Sequence, residues 1–182
     1  MLCITIPEAE LYDEKTGEFI AIKEHAVQLE HSLISLARWE STWQKPFLIK
    51  KGERHSAEEM LDYIRCMSIT QNVNPAEFSV LSQEQLNRIF SYIDNPMTAT
   101  TIRNYKQDNC RSRRVVTAEL IYYWMFSYGI PMECQKWHLN RLLTLIQVFQ
   151  IENSAEKMPK SEIAKRNRSL NAARRKAHNT KG

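Results

Sequence analysis

One stretch limits what this chain can fold into more than any other: VTAELIYYWMFSYGIPMECQKWHLNRLLTLIQVFQIEN, residues 116–153. Thr117 stands where a helix N-cap is wanted, and Leu120, Ile121, Trp124, Met125 and Tyr128 follow at helical spacing. Their apolar wrap runs nearly all the way round the cylinder, which predicts a deeply buried helix. Gly129 and then Pro131 give the usual asymmetry of a helix end and a helix start. Leu139, Leu142, Leu143, Ile146 and Phe149 carry a second helix onward. The spacing therefore predicts a tight helical hairpin over 117–151 as the centre of the core. The cluster Tyr122, Tyr123, Trp124, Phe126, Tyr128 and Trp137 reads as core on the same ground, in preference to a stacking platform for bases.

The preceding sequence divides into a β-rich start and a helical remainder. Ile4 and Ile6 alternate with Thr5, and short apolar runs flank Lys15, Thr16 and Gly17, so a β-hairpin is expected with glycine at positive φ. Val27 and Leu29 can supply a further strand; one hairpin alone is marginal and must pair or pack on helices. From Ser32 the period becomes helical through Leu33, Leu36, Trp39 or Glu40, and Trp43, until Pro46 stops it. Ser56 with Glu59 forms a capping box ahead of Leu61, Ile64 and Met67. Ser82 with Gln85 repeats it ahead of Leu86, Ile89, Phe90 and Ile93. DNPMTATTIRNYKQDNCRSRR then breaks periodicity for a length at which loops are usually functional or mobile.

Beyond Pro159, with Ser161 as cap, alanine, lysine and arginine favour helix, but Ile163 and Leu170 make too thin a stripe to bury much. The expected fold is α+β and predominantly α-helical. A small N-terminal β-hairpin or sheet (1–30) packs on a helical bundle (31–156), and an exposed basic C-terminal helix or tail occupies 157–182.

The net charge of +4 conceals a division. Residues 157–182 hold nine Lys or Arg and one Glu, net +8, while residues 1–156 hold sixteen basic and twenty acidic, net −4. Such a segment can be a solvated extension, can neutralise phosphates, or can dock on an acidic partner or on a neighbouring copy. No recognisable nucleic-acid module accompanies it, so nucleic acid ranks below protein as its partner. Arg113 and Arg114, in RSRR at 111–114, are a second basic surface candidate.

Other chemistry is thinly represented. None of the four glycines lies in a GxxxxGK or GxGxxG motif, and there is no GxSxG. Cys3, Cys66, Cys110 and Cys134 are isolated, without a CxxC pair, as buried thiols of a reducing compartment would be. Cys134 and His138 share a helical face at i, i+4, yet structural zinc wants four ligands. No catalytic residue, metal or cofactor is assigned. The run LIYYWMF at 120–126 is too short to span a bilayer, and MLCITIPEAELYDE lacks a signal-peptide layout. A soluble, intracellular, non-enzymatic protein without a membrane partner is expected.

Several stretches, in order, carry a resemblance: LEHSLISLARWESTWQKPFL (29–48), YIRCMSITQNVNP (63–75), NPMTATTI (95–102), AELIYYWMFSYGIPMECQKWHLNRLLTLIQV (118–148) and RNRSLNAARRKAHNTKG (166–182). Together they resemble a family encoded in the tail-morphogenesis region of tailed bacteriophages and prophages. The resemblance implies a tail assembly chaperone of the host-cell cytoplasm, which keeps the long hydrophobic tape-measure protein soluble and helps recruit tail-tube subunits. It brings no catalytic residues. Client contacts are expected from exposed apolar positions on the 32–43 helix, including Trp39 and Trp43, and from Lys165, Arg166, Arg168, Arg174 and Arg175. A structural virion subunit is the alternative, and a homo-oligomer is compatible with either.

Overall fold

Four strands open the chain: β1 (Leu2–Ile6), β2 (Ala9–Asp13), β3 (Glu18–Ile22) and β4 (His25–Leu29). The computed structural model describes residues 1–13, 17–49, 54–102, 115–157, 164, 167–172 and 174–175. β1 pairs antiparallel with β4 and β2 with β3, and in both ladders the partner numbers sum to 31, from Leu2↔Leu29 to Asp13↔Glu18. One hairpin register thus passes through both ladders and is interrupted where Pro7–Glu8 oppose Lys23–Glu24. Pro7 has no N–H to donate. The covered side changes at the same place, from Ile4 and Ile6 to Ala9 and Leu11 on one strand, and from Ile20 and Ile22 to Val27 and Leu29 on the other. An alternating strand changes parity only across such a break. Gly17, at φ 70°, helps turn the distal end, as its position requires.

Leaving β4, the chain is stitched to two distant segments. Glu30 N–H donates to Met67 O (2.9 Å), Ile69 N–H to Gln28 O (2.9 Å), and Leu139 N–H to His31 O (2.7 Å). Helix α1 (Leu33–Trp43) starts at Ser32, whose hydroxyl accepts Ser35 N–H, and ends at Gln44 in the left-handed region (φ 51°), just before Pro46. Both expected capping boxes form. Ser56 and Glu59 open α2 (Ala57–Cys66), and Ser82 and Gln85 open α3 (Gln83–Asp94). A 3₁₀ turn at Pro75–Val80, not foreseen from the periodicity, buries Phe78 between them.

The expected helical hairpin is corrected in two respects. Helix α4 (Ala118–Ser127) ends at Gly129 (φ 65°), but the second helix does not begin at Pro131. A 3₁₀ turn (Met132–Lys136) and extended Trp137 and His138 intervene, and α5 runs Leu139–Lys157. His138 makes a β-bridge with Ser32 and Leu139 N–H is committed to His31 O, so the helix cannot begin before Leu139. Nor is α4 buried all round: Ala118, Ile121 and Met125 are inside, whereas Tyr123 is 64% and Phe126 69% exposed.

The protein is α+β and predominantly helical. Its core joins Ile4, Ile6, Val27 and Leu29 of the basal ladder to Leu36 and Trp39 of α1, Ile64 of α2, Ile89 of α3 and Ile121 of α4. By internal packing the chain divides into Met1–Ile146 and Gln147–Gly182. In the second unit, the described residues from 164 to 175 are helical and exposed.

Candidate functional site

Helix α4 owes its start to a residue far away in sequence. Thr117 occupies the N-cap position, yet its side chain makes no cap bond, contrary to expectation. Glu40 supplies it instead. Only 8% exposed, its Oε2 accepts Ala118 N–H (2.7 Å) and its Oε1 accepts Phe47 N–H (2.9 Å). Burial pushes the Glu40 pKa up, the two backbone donors pull it down, and Glu119 nearby adds a further upward push. A carboxylate at a helix N-terminus also meets the favourable end of the helix dipole.

With its first turn fixed in this way, α4 turns Ala118, Ile121 and Met125 inward and presents the opposite arc to solvent. Glu119, Tyr123 and Ser127 lie in line at i, i+4 and i+8 on that arc, with Phe126 beside them. The thirteen residues Leu120–Met132 carry no charge. The result is an exposed aromatic surface with Glu119 at its N-terminal end, of the kind found where proteins dock.

A second exposed apolar surface lies on the distal ladder. Tyr12 (57% exposed) and Phe19 (72%) form a cross-strand pair with ring centroids 5.2 Å apart.

The interior holds a polar network of a different kind. His31 Nδ1 and the Tyr63 hydroxyl share a hydrogen bond, the His31 and His138 rings lie 5.0 Å apart, and Tyr92 O–H donates to Glu30 Oε1 (2.7 Å). His138 Nε2 meets the Tyr92 carbonyl at 3.0 Å; a carbonyl only accepts, so Nε2 carries the proton, and among the described residues the buried Nδ1 has no hydrogen-bond partner. Burial holds the His31 pKa down at about 3, assisted by His138, and burial lowers His138 as well. Both imidazoles are therefore neutral at pH 7. His31, Tyr63, Tyr92 and His138 are all buried. The shallow groove nearby, lined by Leu2, Glu84, Asn87, Arg88, Ser91, Tyr92 and Asn95, presents neither histidine nor cysteine. The network can fasten β4, α2, α3 and the start of α5 to one another.

Of the residues singled out from sequence, Trp39 is corrected: it is fully buried, not exposed. The phase of α1 that buries Leu36 and Glu40 buries Trp39 too, against Trp43, Phe47 and His55, and its Nε1 donates to Glu59 O (2.9 Å). Trp43 is half-buried and donates to Asp62 Oδ2 (2.8 Å). Arg168, Arg174 and Arg175 are helical and exposed, while Arg113, Arg114, Lys165 and Arg166 lie outside the described residues. Cys134 and His138 do not share a helix: Cys134 sits in the 3₁₀ turn and His138 in the extended link before α5. Among the described residues no group of three or more His, Cys, Asp or Glu is placed to hold a metal ion, and no helix is long and apolar enough to cross a membrane.

The surface residues missed were Tyr123 and Phe126, assigned to the core with their neighbours. A signal was present, because the only two polar residues of α4 besides the tyrosines, Glu119 and Ser127, flank Tyr123 at i−4 and i+4. No protein-family model matches this chain, and comparison with curated proteins and with solved structures found no match.

Proposed function

We propose that this protein is a non-enzymatic assembly chaperone for a phage tail, binding apolar segments of the tape-measure protein through the outer face of α4. The observation that carries the reading is the exposure of Tyr123 and Phe126 within thirteen uncharged residues, on a helix whose start Glu40 fixes. A chaperone needs an apolar surface that is preformed and uncharged, so that it can cover helices of many sequences and still release them. The sequence resemblance to tail-morphogenesis proteins supplies the client. The exposed Arg168, Arg174 and Arg175 add a cationic segment able to engage acidic stretches of tail-tube or tape-measure protein.

Co-expression in bacteria tests this. The tape-measure protein should move from the pellet to the soluble fraction when this chain is present and should co-purify with it. A Tyr123→Ser/Phe126→Ser variant should lose most of that effect. No rescue and no co-purification would remove the reading. Finding the chain in many copies in purified particles would favour a structural subunit instead.

A further inference from the structure

The two halves of the N-terminal hairpin differ in what surrounds them. The basal ladder is engaged on both sides: Ile69 N–H donates to Gln28 O, Gln28 N–H to Thr70 Oγ1, and the Gln85 side-chain amide to Thr5 O. Among the described residues, no hydrogen bond from another element reaches the backbone of Ala9–Asp13 or Glu18–Ile22 beyond their own ladder. An open strand edge is a template for another strand, and a two-stranded ribbon on its own is marginal. Both faces of this ribbon are apolar at their centre. Tyr12 and Phe19 lie on the exposed side, and half-buried Leu11 and Ile20 on the other.

Charge decides what kind of strand would be accepted. Residues 8–24 contain six acidic and two basic side chains, net −4, which is the whole negative surplus of residues 1–156. A second copy of this arm, or any acidic strand, would set like charges edge to edge. We propose that the β2–β3 arm captures an extended segment of a partner protein in which basic and apolar side chains alternate, adding it as a third strand. Its apolar side chains extend the Leu11–Ile20 face. Its basic ones meet Glu10 and the ring faces of Tyr12 and Phe19, where a cation over an aromatic ring gains further attraction. This surface is separate from the outer face of α4 and does not depend on which protein supplies the strand.

The test titrates the full-length protein with a blocked heptapeptide of alternating Lys and Val, and with its Glu–Val counterpart, followed by amide NMR. The Lys–Val peptide should slow exchange at Ala9–Asp13 and Glu18–Ile22 and bind at least about 10-fold more tightly than Glu–Val at low salt. A Glu8→Lys/Glu10→Lys/Glu24→Lys variant should invert that preference, and Tyr12→Ser/Phe19→Ser should weaken Lys–Val binding by about 5-fold or more. These side chains are exposed, and unchanged protection of Ile4 and Val27 in the basal ladder would confirm that the variants fold. Equal binding of both peptides, no binding, or shifts mapping to α4 would overturn the proposal. So would protection of the arm at raised protein concentration without peptide, which would make a second copy the occupant. Any of these could occur while Tyr123 and Phe126 still govern client solubility, so the two surfaces stand or fall separately.

Discussion

Glu40 shows how much of this fold can hang on one side chain. Its carboxylate joins the end of α1 to the Phe47 N–H and to the first N–H of α4, two places that are 7 and 78 residues away in sequence. Glu40→Ala strips the acceptor from two buried donors, which should cost roughly 2–4 kcal/mol in urea unfolding, against a few tenths for Glu119→Ala on the exposed side of the same first turn. Equal effects would mean that Glu40 is not the cap. His31 makes a second single-residue test. In the unfolded chain it titrates near the ordinary histidine value of 6.5, in the folded protein at about 3. The unfolded state therefore binds the extra proton throughout that window. Its contribution to stability is complete above pH 6.5 and is lost as pH falls towards 3, by up to about 1.4 kcal/mol per pH unit. His138, lowered in the same sense, adds to the slope. Stability measured between about pH 6 and pH 4 should fall steeply, and His31→Gln should flatten the curve. An unchanged slope would show that the protons are taken up elsewhere.

At the scale of elements, what was legible was what local chemistry specifies. Both capping boxes, the Gly17 turn and the Ser32 start of α1 are written in adjacent residues, and each formed as expected. What was not legible depended on distant partners. The delayed start of α5 follows from Ser32 and His31 claiming the backbone of His138 and Leu139, and nothing within residues 131–139 announces that. The expected all-round burial of α4 failed for a different reason. Aromatic residues raise the mean apolarity of a helix whichever way they point, so an all-round wrap and a docking face have the same composition; only the phase set by Glu119 and Ser127 separates them. Substitution tests that phase directly. Ile121→Ala and Met125→Ala should each cost about 2–4 kcal/mol, while Tyr123→Ser and Phe126→Ser should each stay within about 0.5 kcal/mol of the parent. A large loss from either aromatic substitution would return these side chains to the core and remove the proposed docking face with them.

Across the whole molecule the governing fact is the separation of charge, −4 over residues 1–156 and +8 over residues 157–182. That division, and the −4 of residues 8–24 within it, could be counted from sequence, but not the pairing. The register that ends at Asp13↔Glu18 places Glu10, Asp13 and Glu18 of two strands on one ribbon. Arg168, Arg174 and Arg175 are exposed on helical backbone, so this charge faces water and counterions and is not matched inside a core. Any attraction of this segment for a polyanion should therefore be of the counterion-release type. If about five phosphates are neutralised, affinity for duplex DNA should fall by several hundred-fold between about 50 and 200 mM salt. A chain ending at Lys157 should show no such binding and should keep the unfolding midpoint of residues 1–146. Binding that survives moderate salt, or that persists after truncation, would mean that side chains of the first unit read the nucleic acid. The segment would then no longer be a purely diffuse electrostatic contact.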